Sequence, residues 1–483
     1  MLKDLNLLFK IIIKFFKFEF FFTQIIIVIN SLLQVLTILS FGPLILLLTD
    51  QENMNKLNLR FLNFIEPENL LFYLTVIASL LFVTSNLSNI LVSKITLNLG
   101  QKIGIYLNKH IFIELLNKDY NYHVNTNSSE IISKITLETA RVVSSIIIPL
   151  LIINSRLIVI FSIFIGILFV DTKVTLIVSI FLITNYLIIF YLQKKRLILN
   201  SNTISLNNKL RQKIISETFN NMRETIIFNT KKYFLKLFNI TNQNIGLSIA
   251  NNQFLSSLPR NIIEIILFLS IISMVLFLKI EGKLIEYLPL IGIYLVAAYK
   301  LLPAIQSLAS SFASIRGNFS ALQSILPEIY NLKNKTIRKI KGEKSININF
   351  KSLKIKNVDF SYENKIIFKK ANFHIIKNQT IGIFGKTGVG KSTLIDLICG
   401  LIRPKNGEYI LNGKKLSKKF NSNIINLLTI VPQRINLLDA SVKDNIVFTQ
   451  KYKNENELLD KLENLKHICK LDFIDKKNGI LKI

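Results

Sequence analysis

Residues 157–170 read "LIVIFSIFIGILFV", a run with almost no polar face at helical period. A helix that is apolar all round cannot stand in water and must be wrapped by protein or by lipid. Six stretches of this kind lie near 20–48, 69–98, 142–170, 174–192, 257–279 and 284–312. Each approaches or exceeds the about 20 mostly apolar residues that a bilayer crossing takes. A large soluble helical bundle would need polar faces at the same period, and these stretches lack them. Internal breaks such as Gly42-Pro43 and Pro149 are tolerable in a membrane helix. The sequence therefore predicts six membrane spans. Half of the 483 residues are hydrophobic and mean hydropathy is +0.42, as such a chain requires.

Charge sets the orientation. The chain carries 60 Lys+Arg against 30 Asp+Glu, a formal net charge of +30. The excess sits in two long connections. One, at 99–141, holds Lys102, Lys109, Lys118, Lys134 and Arg141; the other, at 193–256, includes Lys194, Lys195, Arg196, Lys209, Arg211, Lys213 and Arg223. The remaining connections, such as "DTK" and "KIEGKLIE", are short or acidic. By the positive-inside rule the two basic connections and both termini are cytoplasmic. The basic charge is then topogenic, and no nucleic-acid partner is expected. The helical patterning of the second connection, as in "LNNKLRQKIISETFNNMRETIIF", predicts spans that continue far beyond the membrane as helices. At the N-terminus, Lys3, Lys10, Lys14 and Lys17 are spread through apolar residues and no small-residue cleavage site follows. That pattern does not read as a cleaved signal and predicts a basic amphipathic helix lying on the membrane surface. Cys399 and Cys469 are expected to be free thiols.

Residues 331–350 are polar and Lys-rich and read as a linker, after which the pattern changes. "LKIKNVDFSY" and "QTIGIFG" are short strand-like runs separated by turn signals. "GKTGVGKST" at 385–393 then fits G-x-x-x-x-G-K-[ST] from Gly385 to Ser392, between the run "TIGIFG" and the helical pattern "KSTLIDLICGL". Strand, glycine-rich turn and helix in that order make a phosphate loop. Backbone N–H groups of Gly388, Val389 and Gly390 can surround phosphate oxygens at a helix N-terminus, where the dipole favours anions. Lys391 can reach the β- and γ-phosphates, and the Ser392 hydroxyl, with Thr393 beside it, can serve the Mg²⁺ of bound ATP.

On these motifs the chain resembles, over essentially its whole length, the ABC exporters in which membrane and ATPase domains are fused as a half-transporter. The resemblance implies a multi-domain fold: a six-helix α transmembrane domain at 1–330, the linker at 331–350, and the first part of an α/β P-loop nucleotide-binding domain at 351–483. It further implies that Tyr362 in "VDFSYENK" stacks on adenine, and that Gln433 in "IVPQRINLLDASVKDNI" senses Mg²⁺ and water. Segments near 119–131 and 227–235 resemble coupling helices, and the working unit is implied to be a homodimer or paired half-transporter in the cell (inner) membrane. A narrower resemblance, to bacterial lipid-linked oligosaccharide flippases, rests on "LPRNIIEIILF" and "VAAYKLLPAIQSLASSF". It places Arg260, Glu264 and Lys300 in the membrane region, where ionisable groups are costly and usually functional. It also implies a pyrophosphate-linked lipid as the substrate. The plainer alternative has Arg260 snorkelling, Glu264 paired with a neighbour and Arg156 touching an anionic lipid.

Within 1–483 there is no LSGGQ, no apolar strand ending in Asp-Glu after the phosphate loop, and no later switch His, and "FIDKKNGILKI" resembles the segment shortly before LSGGQ. On that basis the chain as written is expected neither to hydrolyse ATP at useful rates nor to hold a stable ATPase domain. Asp171, Asp359 and His467 are decoys for the absent residues, because each stands too early in the chain. Two other readings stay open: an exporter of another lipid or a peptide, and a non-hydrolytic nucleotide-binding membrane protein.

Overall fold

The computed structural model describes residues 1–49, 67–282, 284–334, 349–362, 365–416, 427–431, 437–448 and 455–470. The chain divides into two units, Met1–Gly342 and Glu343–Ile483. The first is built from helices whose apolar runs set their lengths. They run α1 Leu2–Phe15, α2 Lys17–Thr49, α3 Pro67–Leu116, α4 Tyr120–Asn125, α5 Ser128–Ser133, α6 Thr139–Val142, α7 Ile148–Leu168, α8 Thr172–Asn220, α9 Met222–Ile227, α10 Lys231–Ile280, α11 Leu284–Gly317 and α12 Phe319–Asn334. Two π-helical turns, Lys134–Glu138 and Val143–Ile147, flank α6. Five stretches among the described residues are long and apolar enough to cross a membrane: Lys17–Leu47, Leu70–Leu116, Ser128–Leu168, Lys231–Ile280 and Tyr287–Gly317. The sixth predicted span, 174–192, lies on α8, where many of the side chains fall outside the described residues.

Helices α3, α8 and α10 have 50, 49 and 50 residues. At 1.5 Å per residue each is about 75 Å long, against about 30 Å of bilayer hydrocarbon. Each long helix turns into the next helical run through a short one: α4 between α3 and the run Ser128–Leu168 that α5 opens, and α9 between α8 and α10. The segment expected at 227–235 is therefore displaced. The short helix ends at Ile227, and from Lys231 the chain is already in α10.

The N-terminal helix α1 has the amphipathic pattern expected, and its apolar face packs on protein. Its lysines Lys3, Lys10 and Lys14 are exposed, but the apolar face Leu7, Leu8, Ile11 and Ile12 is buried in a core shared with α3 and α12. The contact stripe on α3 recurs every fourth residue, Leu99, Ile103, Leu107, Ile111 and Leu115, and α12 adds Leu322, Ile325 and Ile329. An i, i+4 stripe is one helical face, and α1 spends its apolar face on it.

Close approach of α3 to the π-turned helix depends on two glycines. A Cβ on Gly100 would lie 2.5 Å from Ile148, and one on Gly104 would lie 2.7 Å from Val143. Their four-residue spacing is the small-xxx-small pattern that lets membrane helices touch. One turn away the bundle is tied by charge. The Arg141 Nε donates to Asn318 Oδ1 at 2.7 Å, and its Nη1 donates to Ser205 Oγ at 2.8 Å and pairs with Glu138 at 3.3 Å. Ser205 Oγ in turn shares a hydrogen bond with Ser320 Oγ at 2.7 Å. The Glu138 side chain is 1% exposed, so its charge depends on these partners. Removing one member of a buried pair strands the other, at a cost of about 3–5 kcal/mol. Arg141→Ala should therefore lower the thermal stability of the purified chain markedly, and Glu138→Gln added to it should restore part of the loss. Equal melting temperatures for the parent and Arg141→Ala would contradict this role.

The second unit holds a four-stranded antiparallel sheet, in the order β2-β1-β3-β4, from β1 Ser352–Tyr362, β2 Lys365–Ile376, β3 Asn406–Leu411 and β4 Lys414–Lys415. Helices α13 Lys391–Ile398, α14 Val442–Val447 and α15 Glu455–Ile468 accompany it. In β1 the buried residues change phase, from Leu353 and Ile355 to Val358 and Phe360. A bulge between Ile355 and Val358, with Asn357 at φ 51°, absorbs the extra residue and keeps both pairs facing the core. The other predicted strand, "TIGIFG", is corrected: residues 380–385 carry no strand pairing, and Ile381, Ile383 and Phe384 are exposed. No described strand lies beside it to supply ladder hydrogen bonds, and an apolar sequence alone does not make a strand.

Candidate functional site

The phosphate loop enters α13 directly. Gly388 and Gly390 have φ of 84° and 108°, the left-handed region in which a side chain is strained. A Cβ on Gly390 would also lie 2.5 Å from Ile367 on β2. The loop therefore rests against the β1–β2 hairpin at the point where only glycine fits. The Lys391 ammonium folds back across the loop and donates to the Gly385 carbonyl at 2.7 Å and the Lys386 carbonyl at 2.9 Å. This holds a cation over the helix N-terminus, beside the loop that would hold phosphate oxygens.

Other predicted residues fall around this loop unevenly. Val389 and Ser392 are exposed, whereas Thr393 is buried and packs inward. Tyr362 ends β1 half-buried, edge-on to Phe360 with ring centroids 4.9 Å apart. It belongs to the same packed cluster as Ile367 and Phe368, the residues nearest Gly390. Gln433 and the linker residues 335–348 lie outside the described residues. Burial raises the pKa of Asp396 on α13, and burial together with Asp396 raises that of Cys399 just past its end, so the thiol is held in its unreactive form.

The three decoys have structural partners or surface positions. The Asp359 carboxylate accepts the Lys370 N–H at 2.7 Å and the Asn406 amide at 3.2 Å; the backbone bond is the main cause that holds its pKa low. Asp171 caps α8 by accepting the Val174 N–H at 3.0 Å. His467 is exposed on α15.

In the first unit, the three candidate substrate residues separate. Arg260 and Glu264 pair along one face of α10 at 3.6 Å, each about half exposed. Lys300 sits elsewhere: its ammonium reaches Ser85 at 3.2 Å and Asn86 at 3.5 Å on α3, and lies 4.7 Å from the Phe82 ring centroid. A cavity of about 830 Å³ opens between α3, α6 with its flanking π-helical turns, α8, α10 and α11, lined among others by Gln101, Asn108, Arg141, Asn208, Arg211 and Asn252. Its amides were not singled out in the sequence. Asn208, Arg211 and Asn252 sit in the cytoplasmic-looking connection and resemble ordinary solvated positions; only the helix packing gathers them.

Residues 20–283 match the ABC transporter transmembrane region, and residues 368–478 match the ABC transporter family. An export ATP-binding/permease protein of Rickettsia typhi is 33% identical over 110 residues, which cover 22% of this chain and 19% of that protein. An ATP-dependent lipid A-core flippase of Pectobacterium atrosepticum is 26% identical over 184 residues, covering 36% of this chain and 30% of that one. The chain thus spans only 19% to 30% of the length of these relatives. A solved bacterial Atm1-family ABC exporter with ATP bound has the same fold: TM-score 0.73 at 16% identity, covering 95% of this chain and 80% of the other.

If the loop holds phosphates, Lys391→Ala should weaken ATP binding by about tenfold or more, as loss of a charge-assisted contact does. Gly390→Ala should weaken it too, by pushing the loop off β2. Fluorescent-ATP titration of the purified chain measures both, and parental affinity in Lys391→Ala would rule out this geometry.

Proposed function

The chain belongs to the ABC transporter family, a multi-pass membrane protein with an ATP-binding domain, and from that premise we propose that it is an ATP-driven exporter of a lipid-linked oligosaccharide or a related lipid. The observation that carries this reading is the phosphate loop at 385–393 on the same chain as a helical bundle matched over 20–283. We place the bundle in the cell (inner) membrane, with α4, α9 and the second unit on the cytoplasmic side by the charge of the connections, and the working form as a homodimer or paired half-transporter.

When bound, MgATP supplies the phosphate charge and the free energy that drive closure of paired ATPase domains. On this chain the N–H groups of Gly388, Val389 and Gly390 would receive the phosphates, and Lys391 would exchange its loop carbonyls for phosphate oxygens. Ser392, with Gln433, would hold Mg²⁺; Tyr362 would stack on the adenine. The fit rests on the glycine conformations and on the poised Lys391 ammonium. Helices α4 and α9 would pass the closure to the long helices, and the exposed Ile226, Ile227 and Phe228 at the α9 turn suit docking on a partner surface.

Support for a lipid with a polar head comes from the amide-lined cavity, whose Asn and Gln side chains suit sugar hydroxyls, and from Lys300 inside the bundle. The flippase relative acts, by its name, on lipid A-core. The mutual pairing of Arg260 and Glu264 favours Lys300 over those two as a head-group contact. Export of a peptide or another lipid is the second reading; it gains from that pairing, which leaves both groups a structural role.

In proteoliposomes holding the native transporter assembly that contains this chain and a fluorescent pyrophosphate-linked polyprenyl lipid, ATP with Mg²⁺ should increase the lipid's access to an outside quencher, and Lys391→Ala in this chain should abolish the increase. An ATP-dependent gain for a labelled peptide, with none for the lipid, would establish the second reading.

A further inference from the structure

The helical run from Ser128 to Leu168 is not uniform, because the turns Lys134–Glu138 and Val143–Ile147 are π-helical. A π-turn fits one extra residue into the helix, and such turns are frequent at functional sites. In the first, the Thr139 N–H reaches back five residues to the Lys134 carbonyl. The Thr139 hydroxyl donates to that same carbonyl at 2.7 Å. In the second, the Ile148 N–H reaches back to the Val143 carbonyl, and the Ser145 carbonyl accepts Ser314 Oγ of α11 at 3.1 Å.

The two turns are held differently. Val143, Ile146 and Ile147 of the second are buried, and Val143 and Ile148 lie against Gly104 and Gly100 of α3. The first is firm at its far end, where Glu138 meets Arg141 and Ser205, and loose at its near end. There Lys134 Nζ stands 3.7 Å from Glu328 Oε1 of α12, beyond hydrogen-bond distance. The Glu328 side chain is 3% exposed, and its Oε2 has no hydrogen-bond partner among the described residues. Ser133 Oγ, one residue before the turn, is buried and unpartnered in the same way. Two unsatisfied polar groups at one turn are costly, and a change of register there re-sorts both. Beyond Ser133 the chain is free to follow: the extended residues Thr126 and Asn127 separate α5 from α4. Helix α12 is the last described helix before the linker, so along the chain it joins the bundle to the second unit.

We propose that the π-turn Lys134–Glu138 is a register switch, which converts to α-helix when nucleotide moves α12. Conversion releases the extra residue and carries α5 by one helical position, about 100° of rotation and about 1.5 Å of rise. The second π-turn and α7 stay fixed on α3, and the loose Lys134–Glu328 contact is the one that breaks. From the export reading this takes only the nucleotide-driven closure, and it holds whatever substrate is carried.

The test deletes Thr136, an exposed residue in the middle of the turn. Four residues remain, enough for an α-turn, and the helix on both sides keeps its present register. The variant is therefore locked in this conformation. Deletion of Ile105 in α3, 71% exposed, is the control, because it puts Leu99 and Ile103 out of step with Leu107 and Ile111. The Thr136 deletion should melt within a few degrees of the parent and bind fluorescent ATP equally well. The Ile105 deletion should melt at least about 10 °C lower. Hydrogen exchange of residues 130–142 is then followed by mass spectrometry in the native assembly that contains this chain. ATP with Mg²⁺ should change exchange severalfold in the parent, and change nothing in the Thr136 deletion or in Lys391→Ala. A Thr136 deletion that melts as low as the control, or that still responds to ATP, would overturn the switch. So would a parent whose exchange ignores ATP. Loss of lipid translocation with the exchange response intact would count against the export reading and leave the switch standing.

Discussion

Inside a bilayer no water is available to a polar group, so each donor, acceptor and charge must find its partner within the protein. Most of the bundle follows from that requirement. Thr23, Thr37, Ser79 and Ser93 each return a hydroxyl to the carbonyl four residues earlier. Arg141 and Glu138 satisfy one another and gather α8, α11 and α12 around them. Against that background the exceptions stand out. Among the described residues, Thr96 Oγ1 on α3 and both amide atoms of Asn30 on α2 are buried without a hydrogen-bond partner, while Arg156 of α7 and Lys300 of α11 meet only neutral groups of α3.

The same economy governs the second unit, at smaller scale. A bulge in β1 keeps four apolar residues inward, and that hairpin becomes the floor against which the phosphate loop lies. Gly390 is fixed by two constraints together, a left-handed φ and the nearness of Ile367. Lys391 is held by carbonyls that a stronger anionic partner could displace. A membrane bundle with a spare cationic face and an ATP-binding domain with a preset lysine are the two halves the proposed export cycle needs.

Much of this was legible before any coordinates. Uninterrupted apolar runs mark membrane helices because nothing else can bury them, and the phosphate loop is read from spacing because its geometry tolerates few substitutes. What escaped depends on tertiary contact. Nothing in "LKDLNLLFKIII" says whether its apolar face meets lipid or protein, and only α3 and α12 decide it. "TIGIFG" has strand composition, but a strand needs a neighbour. Arg260 and Glu264 attract attention by their chemistry, yet their i, i+4 spacing already offered a pairing that uses both. The polar face of α3 was legible too: polar residues at 86, 89, 93 and 96 recur at helical period inside an apolar span.

The central claim is that the polar interior of the bundle answers to the phosphate loop. Its most direct measurement places a single reporter at Thr96→Cys, with the exposed Cys469 replaced by Ser, and follows labelling by a water-soluble maleimide in membranes. The account predicts that ATP with Mg²⁺ changes the labelling rate severalfold, and that Lys391→Ala removes the change. Labelling that is the same with and without nucleotide would contradict it.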